Sequence, residues 1–206
     1  MTADRQHEDW RDGFLFLGNQ LALDFVNTRP FVDGDFQELL PDVSALLRWF
    51  VAAGLIEKPE AARLKRDSHD DPNANDALES IREFREQLRQ EIEEWQSAGV
   101  PRRAMLKQLN QFLADYPMRT RIRSAEGQAL TELWFPVDNI ESSLAPLAYF
   151  AAKLFTEADR TRVRRCHACI LYFLDTSKKG TRQWCSMQLC GNRSKVAAYA
   201  ARQRTR

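Results

Sequence analysis

Apolar residues recur along most of this chain at the spacing of helix turns. Val43, Leu46, Leu47, Phe50 and Val51 follow Pro41 at that spacing, and Gly54 supplies a stop. Leu78, Ile81, Phe84, Leu88, Ile92 and Trp95 share one face of a longer segment whose other face carries Glu and Arg. A third stripe, Leu106, Leu109, Leu113 and Tyr116, follows Pro101. Stripes of this kind are core-facing helix surfaces, not cofactor-binding patterns.

The period then changes. MRTRIRS, AEGQ and ALTELWFPV alternate polar and apolar residues around a Glu-Gly turn, which predicts a β-hairpin with Arg119, Arg121 and Arg123 on its outer face. That face is expected to be solvated and paired with acidic neighbours, an anion site being the alternative. Asp138 as N-cap, with Glu141 three residues on, predicts a helix bearing Ile140, Leu144, Leu147, Ala151 and Leu154. Pro146 should start a segment there or kink it. The acidic DSHDDPNAND stretch around Pro72 reads as a loop between helices.

With 206 residues, 44% hydrophobic and 29% charged, the chain has room for one sizeable core, or for a medium domain plus a small one. No stretch approaches the roughly 20 apolar residues of a membrane helix, and the charged start MTADRQHEDWRD is unlike a secretory signal, so a cytoplasmic protein without membrane attachment is expected. The net charge of +1 hides an asymmetry. From residue 160 onward twelve Lys and Arg oppose Asp175 alone, a net +11, which leaves −10 on the first 159 residues. The basic segment has the profile of a polyanion-binding surface, the bland alternative being a tail docked on the acidic body. The sign flips between Thr156 and Arg162, which places a domain boundary there, with units 1–159 and 160–206.

All four cysteines fall in the basic unit, as Cys166-x2-Cys169, fifteen intervening residues, then Cys185-x4-Cys190. Two close pairs separated by such a loop can wrap four thiolates tetrahedrally around one Zn²⁺. A segment of about forty residues is too small to fold unaided, and a metal would supply the missing stability. Four ligands close the coordination sphere, so a structural ion is expected over a catalytic one, with His167 a bystander. An iron–sulfur cluster is the other reading of four thiolates, though nothing nearby resembles an electron-transfer partner. The intervening LYFLDTSKKGTRQW reads as two short strands around Lys178-Lys179-Gly180.

The last stretch, SKVAAYAARQRTR, is alanine-rich and predicts a helix. At 100° per residue Val196, Ala197 and Ala200 fall on the side of Cys190 and should pack over the metal. Lys195, Arg202 and Arg206 cluster opposite, beside Tyr199, while Arg193 and Arg204 project toward the zinc. Gly191 and Asn192 suit a sharp turn after the second cysteine pair, and Arg193 is placed to hydrogen-bond the knuckle.

These residues carry a resemblance. C-x2-C followed by YFLDTSKKGTRQWCSMQLCGNRSK resembles the CGNR-type zinc finger, a treble-clef-like module of bacterial transcription regulators, and FLGNQLALDFVNT at Phe16 to Thr28 is similar to the opening motif of the accompanying ABATE domain. Asn19 stands where a second glycine is common in that motif. The resemblance implies an α+β architecture: a mostly helical N-terminal domain with a small antiparallel sheet, then the finger. It further implies a stress-linked regulator that binds DNA through the finger. Cys166, Cys169, Cys185 and Cys190 take the ligand places, and Gly191, Asn192 and Arg193 the signature places.

On this reading Lys178, Lys179, Arg182, Lys195, Arg202 and Arg206 contact phosphates. RNA or an acidic protein surface is the alternative partner, since the fold does not choose among them. Asp24 and Asn27, three apart and near Arg29, could line a small-molecule pocket in a sensing domain; the competing reading has them satisfying backbone groups. Three scattered histidines, with no nucleophile–base spacing and no phosphate-binding glycine loop, give no enzymatic constellation.

Overall fold

In a computed structural model the chain is described over residues 9–32, 34–125 and 127–204. Seven α-helices follow one another among the described residues: α1 (Leu21–Val26), α2 (Val43–Ala52), α3 (Lys58–Asp67), α4 (Ala74–Ala98), α5 (Arg103–Asp115), α6 (Leu144–Glu157) and α7 (Asn192–Arg204). The strands form four separate antiparallel ribbons: β1 (Trp10–Arg11) with β2 (Phe14–Leu15), β3 (Phe31–Val32) with β4 (Asp35–Phe36), β5 (Arg119–Ala125) with β6 (Gln128–Trp134), and β7 (Val163–Arg165) with β8 (Tyr172–Leu174).

The longest apolar stripe becomes the longest helix. All six stripe residues of α4 are buried, worth roughly 12 kcal/mol of gross transfer free energy at about 2 kcal/mol each. The helix ends at Gly99, whose φ of +86° is a left-handed C-cap and whose N–H donates to Trp95 O at 2.8 Å. Asp42 caps α2 by accepting from Ala45 N at 2.7 Å. Aromatic rings join these helices to α1: Phe25 lies 5.6 Å from Trp49 and 6.3 Å from Phe84, and Phe84 lies edge-on to Phe112. Short as it is, α1 is buried from Ala22 to Val26 at the centre of the molecule.

Three local expectations change and one element is added. In α5 the buried residues are Met105 and Leu109, while Leu106 is 43% exposed, because the helix turns its Met105–Leu109–Phe112 edge inward. The helix expected at Asp138 begins a turn later. Asn139 Oδ1 accepts from Ser142 N, Ser142 Oγ accepts from Asp138 N, a short 3₁₀ turn (Glu141–Ser143) intervenes, and Pro146 falls in the first turn of α6, where its missing N–H costs nothing. In the β5–β6 hairpin the arginine-bearing side faces the body: Arg121 pairs with Glu132 at 2.9 Å, stacks on Trp134, and borders a cavity with Leu55 and Tyr149. The outward side mixes Thr120, Ser124 and Thr131 with two exposed apolar residues, Ile122 at 76% and Leu133 at 61%. Finally, the β1–β2 ribbon, unforeseen above, turns on Asp12 (φ +48°) and Gly13 (φ +83°), a two-residue Asp-Gly loop of the type that matches strand twist.

Candidate metal centre

The second, smaller apolar cluster of the molecule surrounds the cysteines. Cys166, Cys185, Cys190, Leu171 and Phe173 are buried there, together with Leu17 from the N-terminal segment. β7 and β8 are the two arms of a hairpin whose tip holds Cys166 and Cys169. Cys166 N donates to Leu171 O at 2.8 Å, Ile170 N returns to Cys166 O at 2.9 Å, and Ile170 takes a left-handed φ of +54° to close the turn. Of the second pair, Cys190 sits on a π-turn (Met187–Gly191) in which the N–H groups of Cys190 and Gly191 both donate to Ser186 O, and Cys185 lies just before its cap.

These two turns bring four sulfurs together, all ligand atoms lying within 4.8 Å of one another. Cys169 Sγ and Cys185 Sγ are 3.5 Å apart, and Cys185 Sγ and Cys190 Sγ 3.7 Å, far beyond a disulfide bond. A tetrahedron of sulfurs at about 2.3 Å from Zn²⁺ has edges of about 3.8 Å, so the spacing fits that ion. His167 is exposed and outside this group, its N–H bound to Gln183 O.

The loop between the pairs differs from expectation: β8 pairs backward with β7, and no strand follows Gly180 among the described residues. Asp175 causes this. Its fully buried carboxylate accepts from Ser177 N at 2.9 Å and from Arg182 N at 2.8 Å, folding the Lys178–Lys179 loop into a closed turn. Burial pushes the carboxyl up, but the hydrogen bonds from Ser177 and Arg182 outweigh it and hold the pKa down to about 2.

The basic residues separate into two roles. Lys178, Lys179 and Lys195 are exposed. Arg182 is half-buried: its guanidinium lies over the Phe173 ring at 5.1 Å and donates to Cys185 O at 2.5 Å, which makes it a brace of the second knuckle. Arg202 is exposed and has an interaction of its own, and Arg206 lies outside the described residues. The wheel drawn from Cys190 fails for Val196, which is 68% exposed, and for Ala200, also exposed. A π-turn advances less than 100° per residue, so the angular register does not carry from Cys190 into α7. The side chains of Ala197 and Arg204 lie outside what is described. Gly191 is buried in the π-turn, Asn192 begins α7, and Arg193 is exposed beside the sulfurs without a hydrogen bond among the described residues.

Asp24, Asn27 and Arg29 do not converge on one cavity. Asn27 donates from Nδ2 to Tyr172 O at 2.8 Å and accepts from Tyr172 N at 2.9 Å. Asp24 accepts from Gly18 N at 2.7 Å; burial pushes its carboxyl up to about 7 against that bond, the Arg11 charge and the Leu17 N–H. Arg29 points elsewhere, to Glu86 at 3.4 Å and the Phe36 ring.

The motif at Phe16–Thr28 is thus an edge-binding clamp, a role sequence reasoning missed. Leu174 N donates to Gly18 O at 2.7 Å and Asn19 Nδ2 to Leu174 O at 2.9 Å, so with Asn27 it pairs the main chain of β8 at two alternate residues. Gly18 must be glycine because an added Cβ would sit 2.8 Å from Leu23 Cβ and 3.0 Å from Asp24 N. Asn19 adopts φ +55°, a left-handed turn that asparagine tolerates. The opposite side of the hairpin meets α4, where Tyr172 Oη donates to Glu93 Oε1 at 2.5 Å.

Comparison with known families matches residues 19–158 to ABATE, described as "Putative stress-induced transcription regulator", and residues 162–203 to the CGNR zinc finger. No curated protein matches the chain. The clustered cysteines and the zinc-finger match together support zinc as the cofactor. No helix among the described residues is long and apolar enough to cross a membrane.

Proposed function

Because the chain belongs to the ABATE family and ends in a CGNR zinc finger, we propose that it is a cytoplasmic, non-enzymatic transcription regulator that binds DNA through the finger, with a ligand-sensing body. The division proposed is 1–159 for the body and 160–206 for the finger. Cys166, Cys169, Cys185 and Cys190 hold Zn²⁺, which folds the segment and leaves no open position for a reacting water.

The observation that carries the reading is charge placement. A unit of net +11 presents Lys178, Lys179 and Lys195 to solvent, attached to a body of −10. Even after the roughly −2 of a zinc tetrathiolate is subtracted, the finger attracts phosphate strongly. Exposed lysines supply charge without base readout, so affinity for duplex DNA should fall with salt.

A fluorescence anisotropy titration of labelled duplex at two salt concentrations tests this, with RNA and an acidic polypeptide run in parallel. Micromolar or tighter binding that weakens with salt supports the reading. Millimolar affinity, or affinity indifferent to salt, rules it out, and preference for RNA or the polypeptide replaces DNA as partner.

A further inference from the structure

The seam between body and finger holds a half-open cavity of about 400 Å³, a size typical of small-molecule sites. Its walls come from both sides. The body contributes Leu15, Leu17 and Phe31, and the finger Leu171 and Leu189. Part of the finger wall is sulfur: Cys169, Cys185 and Cys190 border the space, and Cys166 does not.

Among polar side chains, Gln37, Asn27, Arg193 and the indole of Trp10 border it. Asn27 borders the cavity, but its amide is already joined to Tyr172 on both sides. Arg193 borders it as a cation with no hydrogen bond or ion pair among the described residues. The adjoining zinc tetrathiolate carries about −2 against this single positive charge, so an anionic guest meets net repulsion. A cationic guest is attracted by the same net charge but must give up its hydration against leucine and phenylalanine side chains, and that desolvation opposes its binding.

We propose that this cavity binds a small, uncharged, apolar molecule of aromatic size carrying one hydrogen-bond acceptor, such as a carbonyl oxygen, which accepts from the Arg193 guanidinium. The proposal rests on the sensing half of the reading above and gives it a site and a ligand class. Because the walls belong to two units, an occupant adds contacts only when the finger is docked, and so stabilises that arrangement.

The test uses the full-length zinc-loaded protein and two naphthalene dyes whose emission reports an apolar site. One is a neutral propionyl-dimethylaminonaphthalene; the other is an anilinonaphthalene sulfonate. The neutral ketone should saturate at one per chain, and the sulfonate should bind about tenfold more weakly or worse. Leu189→Trp and Leu15→Trp fill the space from opposite walls, and each should weaken the ketone by about tenfold or more. Arg193→Leu should weaken it several-fold and shift its emission to the blue, as a carbonyl that has lost its donor does. Zinc content is measured on every variant, and a variant that loses zinc leaves the other wall's variant to decide.

Absence of saturable ketone binding overturns the proposal. So does equal affinity for the sulfonate, or wild-type affinity in a zinc-retaining Trp variant. DNA affinity, measured without dye on the same preparations, separates the two readings. Dye binding without DNA binding keeps the site and discards the DNA reading, and DNA binding without dye binding does the reverse.

Discussion

The side-chain amide of Asn27 and the main chain of Tyr172, 145 positions apart, exchange two hydrogen bonds of 2.8 and 2.9 Å. The side chain acts as one more strand would, pairing both backbone groups of a β8 residue whose other edge is bound to β7. The N-terminal motif and the zinc finger are therefore a single hydrogen-bonded assembly, with Leu17 inserted in the finger's apolar cluster.

Asn27→Ala strips the partners from both backbone polar groups of buried Tyr172. Its cost should be about 2–4 kcal/mol, the penalty of two unmet buried groups. Urea unfolding of the zinc-loaded protein measures it, and a loss below about 0.5 kcal/mol would mean that water replaces the amide.

Asp24 and Asp175 should give opposite pH dependences. Asp24 titrates near 7 when folded, against 3.8 unfolded, so the native state holds a proton that the unfolded chain has lost. Its contribution is complete below about pH 4 and disappears as pH rises through 7, an effect of up to about 4 kcal/mol. Asp24→Asn keeps the oxygen acceptor for Gly18 N–H and removes the ionisation, so it should flatten this slope and stabilise the protein at pH 8. Asp175, held near 2, contributes stability that is present above about pH 4 and lost as pH falls toward 2. Thermal unfolding across pH 2 to 8 for Asp24→Asn and for Asp175→Asn separates the two.

Arg182 and the neighbouring lysines should part company under mutation. Lys178→Gln with Lys179→Gln should reduce the slope of log affinity against log salt for duplex DNA by up to about 2, with zinc content and unfolding midpoint unchanged. Arg182→Gln should instead destabilise the finger by about 1–3 kcal/mol, through the loss of its bond to Cys185 O and its packing on Phe173. Equal salt slopes in both variants would return Arg182 to the phosphate-binding set.

Zinc release should act locally. Purified protein should hold one Zn²⁺ per chain, and Cys166→Ser should lose it, since Cys166 is 1% exposed and water cannot fill its place. Amide exchange should then rise sharply across the two cysteine turns and α7, and less across β7 and β8, whose Val163 and Tyr172 pack in the larger apolar cluster. The helices around Phe84 and Trp49 belong to that cluster, which includes none of the four cysteines, and should stay protected. Unchanged exchange in the finger after metal removal would contradict a metal-dependent fold.

Inside the body, Arg85 is 1% exposed and bound to Glu38, Thr28 and Glu86. Glu38→Ala leaves that buried guanidinium short of its principal counter-charge and should cost about 3–5 kcal/mol by calorimetry. Arg85→Met with Glu38→Leu should recover most of the loss.

The helices and the metal ligands were legible along the chain because each depends on neighbours within one or two turns. Apolar spacing commits α2, α4 and most of α6, and two close cysteine pairs commit the four sulfurs to one centre. The same local reasoning misplaced Leu106, the face of the β5–β6 hairpin and the side of Val196, since which edge turns inward depends on what packs there. Asn27, Arg182 and the cavity beside Arg193 were settled only by tertiary structure. Their partners lie in other turns or other elements, and a hydrogen bond across 145 residues has no period, spacing or composition by which one strand of letters could announce it.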